Sequence, residues 1–134
     1  MTKPTRAQPR KTRKLPKNPE KRSSILRAAE KIFARNGFHE ATVSDIAREA
    51  GVSEATIYDY FPSKEELLFC IPAEKTSEHL EGNREILQYV QGAADKLRVL
   101  ISRHIMLYAL NPDYANVVLI LKSNRKFLKT DAYR

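Results

Sequence analysis

The sequence predicts an all-α protein whose N-terminal part is a bundle of three short helices, and three observations predict it. Apolar residues recur at spacings of three and four along most of the 134 residues, the period of an amphipathic helix and not of a strand. Helix-start signatures stand at Asn18-Pro19-Glu20, Thr42-Val43-Ser44-Asp45, Ser53 and Ser63-Lys64-Glu65-Glu66. Gly51 falls just before the third of these starts, where two helices joined by a tight turn need a residue free to adopt a left-handed conformation.

The chain begins with a basic arm. Residues 1–22 hold nine lysines and arginines against Glu20 alone, so the whole net charge of +8 sits there and the remaining residues sum to zero. Up to Pro16 the arm has no apolar period, and Pro4, Pro9 and Pro16 oppose a helix. Residues 1–17 are therefore expected to be disordered in the free protein. Such an arm attracts polyanions and can track phosphates. Its bland reading is a solvated leader, and a membrane-surface reading is poor because Leu15 is its one large apolar residue.

The first helix starts at Asn18, with proline at the first helical position and Glu20 near the positive end of the dipole. Ile25, Leu26, Ala29, Ile32 and Phe33 form its apolar stripe, and Gly37 is placed to end it in a left-handed turn. In the second, Asp45 is expected to reach back to Thr42 as a capping-box variant, ahead of Ile46, Ala47 and Ala50. Ser53 caps the third, with Val52 and Ile57 at the spacing of a hydrophobic staple. Pro62 forces a break after Phe61, and Ser63 opens a fourth helix expected to run past Pro72, with a kink, to about Tyr89. After Gly92, Leu97, Leu100, Ile101, His104, Leu107 and Tyr108 predict one apolar side of a fifth helix. Asn111-Pro112-Asp113 repeats the cap signal, and the run Val117 to Leu121, apolar most of the way round, predicts burial on several sides.

The outline of the first three helices is that of a helix-turn-helix. The stretch Arg22 to Leu68 adds specific pieces to it: ILRAAEKIF, NGF, ATVSDIA, AGVS, TIYDYF and SKEELL, in that order. This stretch resembles the DNA-binding domain of the TetR/AcrR family of bacterial repressors. A weaker likeness in NPDYANVVLILKSNRKFLKTDAY looks like part of that family's all-helical effector domain. The resemblance implies an arm at 1–17, a DNA-binding domain at 18–69 and part of an effector-binding and dimerisation domain at 70–134. It makes Ser53 to Tyr60 the recognition helix, with Ser53, Glu54, Ala55, Thr56 and Asp59 where base edges are read. Thr42, Tyr58, Tyr60 and Lys64 match positions that hold the sugar-phosphate backbone. Ala55 departs from the glycine frequent there in the family. His104, Tyr108 and Tyr114 are candidates to line an effector pocket, against the plainer reading that aromatics at this spacing are core.

By the same resemblance the partners are a palindromic double-stranded DNA operator, a small-molecule effector that releases a repressor from it, and a second copy of the chain. Family members usually continue through further helices that pair in the dimer, so a chain ending at Arg134 is expected to dimerise weakly or self-associate through exposed apolar faces. The rival from the same chemistry is a non-sequence-specific nucleic-acid binder that uses the basic arm. An enzyme finds little support. His39, His79 and His104 have no metal-ligand spacing, and the four glycines form no phosphate loop, so no metal and no cofactor are expected. Cys70 stands alone, which excludes an intrachain disulfide and fits a reducing compartment; it is read as a quiet, partly buried thiol. No apolar run approaches the roughly 18 residues of a membrane span, and no secretory signal opens the chain, so the expected location is the cytoplasm.

Overall fold

Asn18 opens the first helix as expected: its side-chain oxygen accepts from the amides of Glu20 at 2.9 Å and Lys21 at 3.3 Å. The structure is a computed structural model that describes residues 18–124, so the arm assigned to residues 1–17 and the last ten residues lie outside the described residues. Among those described are six helices and no strand: α1 (Pro19–Glu40), α2 (Val43–Ala50), α3 (Glu54–Tyr60), α4 (Lys64–Leu87), α5 (Ala93–Ala109) and α6 (Pro112–Ser123). The protein is all-α.

The stripe on α1 is buried as its spacing predicts, with Ala28 added to Ile25, Leu26, Ala29, Ile32 and Phe33. Its end differs from expectation. Gly37 does break the regular helix at a positive φ, 75°, but with ψ 167° it lies outside the left-handed helical turn, and a further turn runs on to Glu40. The bend brings Phe38 into the core, its ring centroid 5.6 Å from that of Phe33.

At α2 the capping-box variant forms. The Asp45 amide donates to the Thr42 hydroxyl oxygen at 3.0 Å, and that hydroxyl donates to the Asp45 carboxylate at 2.6 Å. The Thr42 hydroxyl, with the Thr42 amide and Arg48, holds the half-buried Asp45 carboxyl below its ordinary range. Gly51 closes the helix in the left-handed conformation, φ 69° and ψ 33°, and the next amide, Val52, reaches back to the Ala47 carbonyl at 3.0 Å. Ser53 then accepts from the Thr56 amide at 3.1 Å, and Ser63 from the Glu66 amide at the same distance. Pro72 lies inside α4, which ends at Leu87, two residues short of the expected limit.

Helix α1 is the hub, packed against α2, α4 and α6, while α5 lies along α4 and α6. A single core cluster joins the α1 stripe to Ile46, Ile57, Phe61, Leu67, Leu68 and Ile71, and to Tyr114, Val117 and Leu121 of α6. Ion pairs stitch α1 to α4: Arg22 to Glu74 at 2.7 Å, with the Ser23 hydroxyl on the same carboxylate at 3.0 Å, and Lys75 to Glu30 at 4.0 Å. Burial pushes the Glu30 carboxyl above its usual range; Lys75 opposes that, and Asp113 and Glu78 add to it.

Three expectations for the C-terminal part are corrected. Asn111 does not cap α6 with its side chain; its Nδ2 donates instead to the Leu107 carbonyl at 2.8 Å, closing the end of α5, whose last carbonyls lack intrahelical partners. Helix α6 is not buried most of the way round: α1, α4 and α5 pack on it, Tyr114, Val117 and Leu121 are buried and Val118 and Ile120 half-covered, but Leu119 stays 60% exposed. The stripe read along α5 is mostly open: no residue of that helix is buried, Leu97 and Ile101 are exposed, and Leu107 and Tyr108 are half-covered. Leu107 and Tyr108 at its C-terminal end pack against the core, while the part of the predicted apolar side around Leu97 and Ile101 stays open.

Candidate nucleic-acid interface

The turn at Gly51 sets α3 across the end of α2 with one residue, Ile57, facing the core. Everything else on α3 is available or nearly so. Ser53, Glu54, Ala55, Tyr58 and Asp59 are exposed; Thr56 and Tyr60 are half-buried. This is the geometry of a helix presented outward along its length by a short staple and a single anchoring isoleucine.

Hydrogen bonding decides which of these groups are free. The Ser53 and Thr56 hydroxyls are hydrogen-bonded to each other at 2.9 Å, so the cap also fixes the direction of Thr56. Glu54, Ala55 and Asp59 project from the same surface. Tyr58 is 51% exposed. The Thr42 hydroxyl spends its proton on Asp45. The Tyr60 hydroxyl accepts from the Asn18 amide at 3.0 Å, which leaves its own proton to donate.

An open cleft between the start of α2, the outer face of α3 and the start of α4 brings together Thr42, Tyr58 and Lys64, with Ser44, Glu54 and His39 on its walls. Three of the four residues matched to backbone contact therefore share one surface, and Tyr60 stands apart beside Asn18. Ser44 was missed by the reading of the sequence. It is exposed in the first turn of α2, and its place two residues after the Thr42 cap was the available signal.

Lys64 carries a structural role that its sequence position did not show. Its ammonium donates to the carbonyls of Phe38 at 2.8 Å and Ala41 at 3.0 Å, with His39 at 3.5 Å, and sits 4.5 Å from the Phe38 ring centroid. One side chain thus ties the first turn of α4 to the link between α1 and α2 and satisfies carbonyls that α1 leaves behind. Lys64→Met should lower stability by about 1–3 kcal/mol, the cost of stranding part-buried acceptors, read as a shifted denaturant midpoint. An unchanged midpoint would leave the side chain no structural role.

The other candidate residues form a line of rings. His104 stands edge-on to Tyr108 with centroids 5.5 Å apart, and Tyr108 stacks on Tyr114 at 5.5 Å. His79, which was not singled out for this role, extends the line from α4, 6.1 Å from His104. An open apolar groove between α4 and α5 runs past His79 and His104 over Leu80, Leu100, Ile101 and Ile105. Tyr114 itself is 3% exposed and belongs to the core, where burial pushes its phenol up. Burial likewise raises the Cys70 thiol, which disfavours the reactive thiolate. Among the described residues no group of three or more His, Cys, Asp or Glu is placed to hold a metal ion, and no helix is long and apolar enough to cross a membrane.

Comparison with known proteins points the same way. Residues 25–71 match the family described as bacterial regulatory proteins, tetR family. The fatty acid metabolism regulator protein of Bacillus subtilis is 40% identical over 85 residues, 63% of this chain and 44% of that protein. The HTH-type transcriptional activator FasR of Mycolicibacterium smegmatis is 32% identical over 92 residues, 69% of this chain and 42% of that protein. The chain thus spans less than half the length of these curated relatives. Among solved structures, the fatty acid degradation regulator FadR from Bacillus halodurans superposes with a TM-score of 0.70 at 31% identity, over 86% of this chain and 63% of that one. FadR from Bacillus subtilis, solved in complex with stearoyl-CoA, gives a TM-score of 0.64 at 32% identity, over 79% of this chain and 66% of that one.

Proposed function

We propose that this chain, which belongs through residues 25–71 to the tetR family of bacterial regulatory proteins, binds a palindromic operator as a homodimer and represses transcription until a long-chain acyl-CoA releases it. The observation that carries the DNA-binding part is the outward face of α3: five exposed side chains at and after its N-cap, set by the Gly51 turn and held by Ile57. A helix displayed this way fits the major groove, and two copies related by a two-fold axis fit half-sites about 34 Å apart, or a multiple of that. In this reading residues 18–69 handle DNA and residues 70–134 the effector, with residues 1–17 as a basic arm.

The effector class rests on the relatives: one is a regulator of fatty acid metabolism and another was solved with stearoyl-CoA. The apolar floor of the groove between α4 and α5 suits an acyl chain, with His79 and His104 at its side and Tyr108 in edge contact with His104. Tyr114 is buried in the core and is not among the residues that line the groove, so it is not assigned to the effector. An acyl-CoA can shift the protein off DNA only if it binds the non-binding arrangement better, and α4, which runs from Lys64 beside the cleft to the groove, is the element both arrangements share.

Selection of duplexes from a random pool by the full chain should enrich one palindrome, bound at least about 10³-fold more tightly than mixed-sequence DNA. Stearoyl-CoA should then lower occupancy of that palindrome and relieve repression in a purified transcription assay. Enrichment of no sequence would favour the arm-driven, non-sequence-specific binder, and raised transcription on binding would make the protein an activator.

A further inference from the structure

The cleft between α2, α3 and α4 has fewer free donors than its residue types suggest. The Thr42 hydroxyl donates to the Asp45 carboxylate at 2.6 Å. The Lys64 ammonium has three protons, and the carbonyls of Phe38, His39 and Ala41 stand at 2.8, 3.5 and 3.0 Å to receive them. Lys64 therefore lends the cleft its charge but keeps no N–H clear of the fold. Three side chains on the walls make no hydrogen bond within the described residues: the hydroxyls of Ser44 and Tyr58 and the imidazole of His39. Of these, only the imidazole can carry a positive charge.

His39 is exposed in the last turn of α1, beyond the bend at Gly37. Its ring stands edge-on to Phe38 with centroids 5.6 Å apart, and Lys64 grips the Phe38 carbonyl just before it. The backbone that carries the imidazole is thus fixed from α4. The charged groups sharing the cleft are Lys64 and Glu65 of α4 and Glu54 of α3, while α2 lines it with Val43 and Ser44 alone. Glu40 follows His39 in the chain and is exposed.

We propose that His39 is a further phosphate-contacting residue, whose protonated imidazole donates to a backbone phosphate of a duplex seated on this cleft. The proposal rests on the DNA-binding reading above and adds to it the group that supplies a charged donor where Thr42 and Lys64 have committed theirs. A phosphate oxygen only accepts, and a bond to it from a charged donor is stronger than one from a neutral donor. An imidazole ordinarily changes charge between pH 5 and 8, so the contact takes up a proton from solvent as the duplex binds. Phosphates carry no sequence, and the contact therefore strengthens binding to every duplex alike.

Salt titrations of the full chain at pH 6 and pH 8 test this, on the selected palindrome and on a mixed-sequence duplex. Affinity for both duplexes should be higher at pH 6, by about tenfold for each bound copy, the scale of one charge-assisted hydrogen bond. The slope of log affinity against log salt should be steeper at pH 6 by about 0.9 for each bound copy. His39→Gln should bind at both pH values as the parent does at pH 8. His39→Arg should keep the steeper slope at both. Replacing His79 and His104 together by glutamine should leave the parent's pH dependence as it is, and thermal melts check that each variant is folded.

A parent slope equal at the two pH values, or a difference that survives His39→Gln, overturns the role of His39 and leaves the DNA-binding reading standing. A change of pH that reorders the preference among operators overturns it too, because His39 would then read bases. Binding of neither duplex at either pH sinks the DNA-binding reading itself.

Discussion

Replacing Phe61 with alanine is expected to destabilise the protein by about 3–5 kcal/mol and, at ordinary temperature, to abolish operator binding with it. Phe61 caps the C-terminal end of α3, is 2% exposed, and carries the Arg22 guanidinium 5.3 Å above its ring centroid. Truncation would leave a cavity where the end of α3 meets the core, and Arg22, whose other partner is Glu74 of α4, would lose its aromatic face. Small domains are stable by about 5–15 kcal/mol in total, so one such loss removes a large share of the margin. Phe61→Leu, which keeps most of the volume, should cost less and restore binding in proportion to its recovered midpoint in urea. A Phe61→Ala protein that melts like the parent would mean that the site does not depend on this side chain, and that α3 is held by Ile57 and the Gly51 turn alone.

Phe61 also illustrates why the N-terminal half of the fold was legible in the sequence. Each element has its own cap, and the apolar faces of α2 and α3 are used by neighbours close in the chain, so local rules and tertiary packing agree there. The Asn18, Thr42, Ser53 and Ser63 caps all form where their residue types predict. Beyond α4 the same rules under-determine the answer. The apolar stripe of α5 has a clear period, yet periodicity says which face is apolar and not whether a partner covers it. Asn111 shows the limit at one residue: an amide next to Pro112 serves either the helix that starts or the helix that ends, and here it bonds to Leu107 behind it.

The candidate site divides the same way. Exposure of Glu54, Ala55 and Asp59 follows from the one-residue core face of a seven-residue helix, and so could be read from spacing. The bonds of Lys64 to Phe38 and Ala41 could not be, because they span more than twenty positions and depend on where the bend at Gly37 leaves those carbonyls. His79 escaped for a related reason. It meets His104 across α4 and α5, and only the packing of the two helices brings the rings together.

Substitutions at Asp59 and Thr56 should change which operator is preferred, whereas a substitution at Tyr58 should weaken all operators alike. Asp59 is exposed on the outer face of α3, and a carboxylate there can accept from the amino group of cytosine in the major groove. Asp59→Asn replaces an acceptor-only group by one that both donates and accepts, the pattern that adenine presents. The expected result is a switch at one position of each half-site, away from cytosine and toward adenine, worth about 1–3 kcal/mol of discrimination per half-site. Thr56→Ala should relax preference at an adjacent position by a smaller amount, since its hydroxyl is shared with Ser53 and its methyl group is the part left to meet a thymine methyl. Tyr58→Phe removes one hydroxyl from the cleft that also holds Thr42 and Lys64, so it should lower affinity for every duplex by a similar factor. Binding of the three variants to a panel of single-base operator changes separates these outcomes. If Asp59→Asn and Thr56→Ala lose affinity uniformly across the panel while Tyr58→Phe changes the ranking, α3 lies in the groove with its other edge toward the bases, and the assignment of base-reading and backbone-holding residues has to be exchanged.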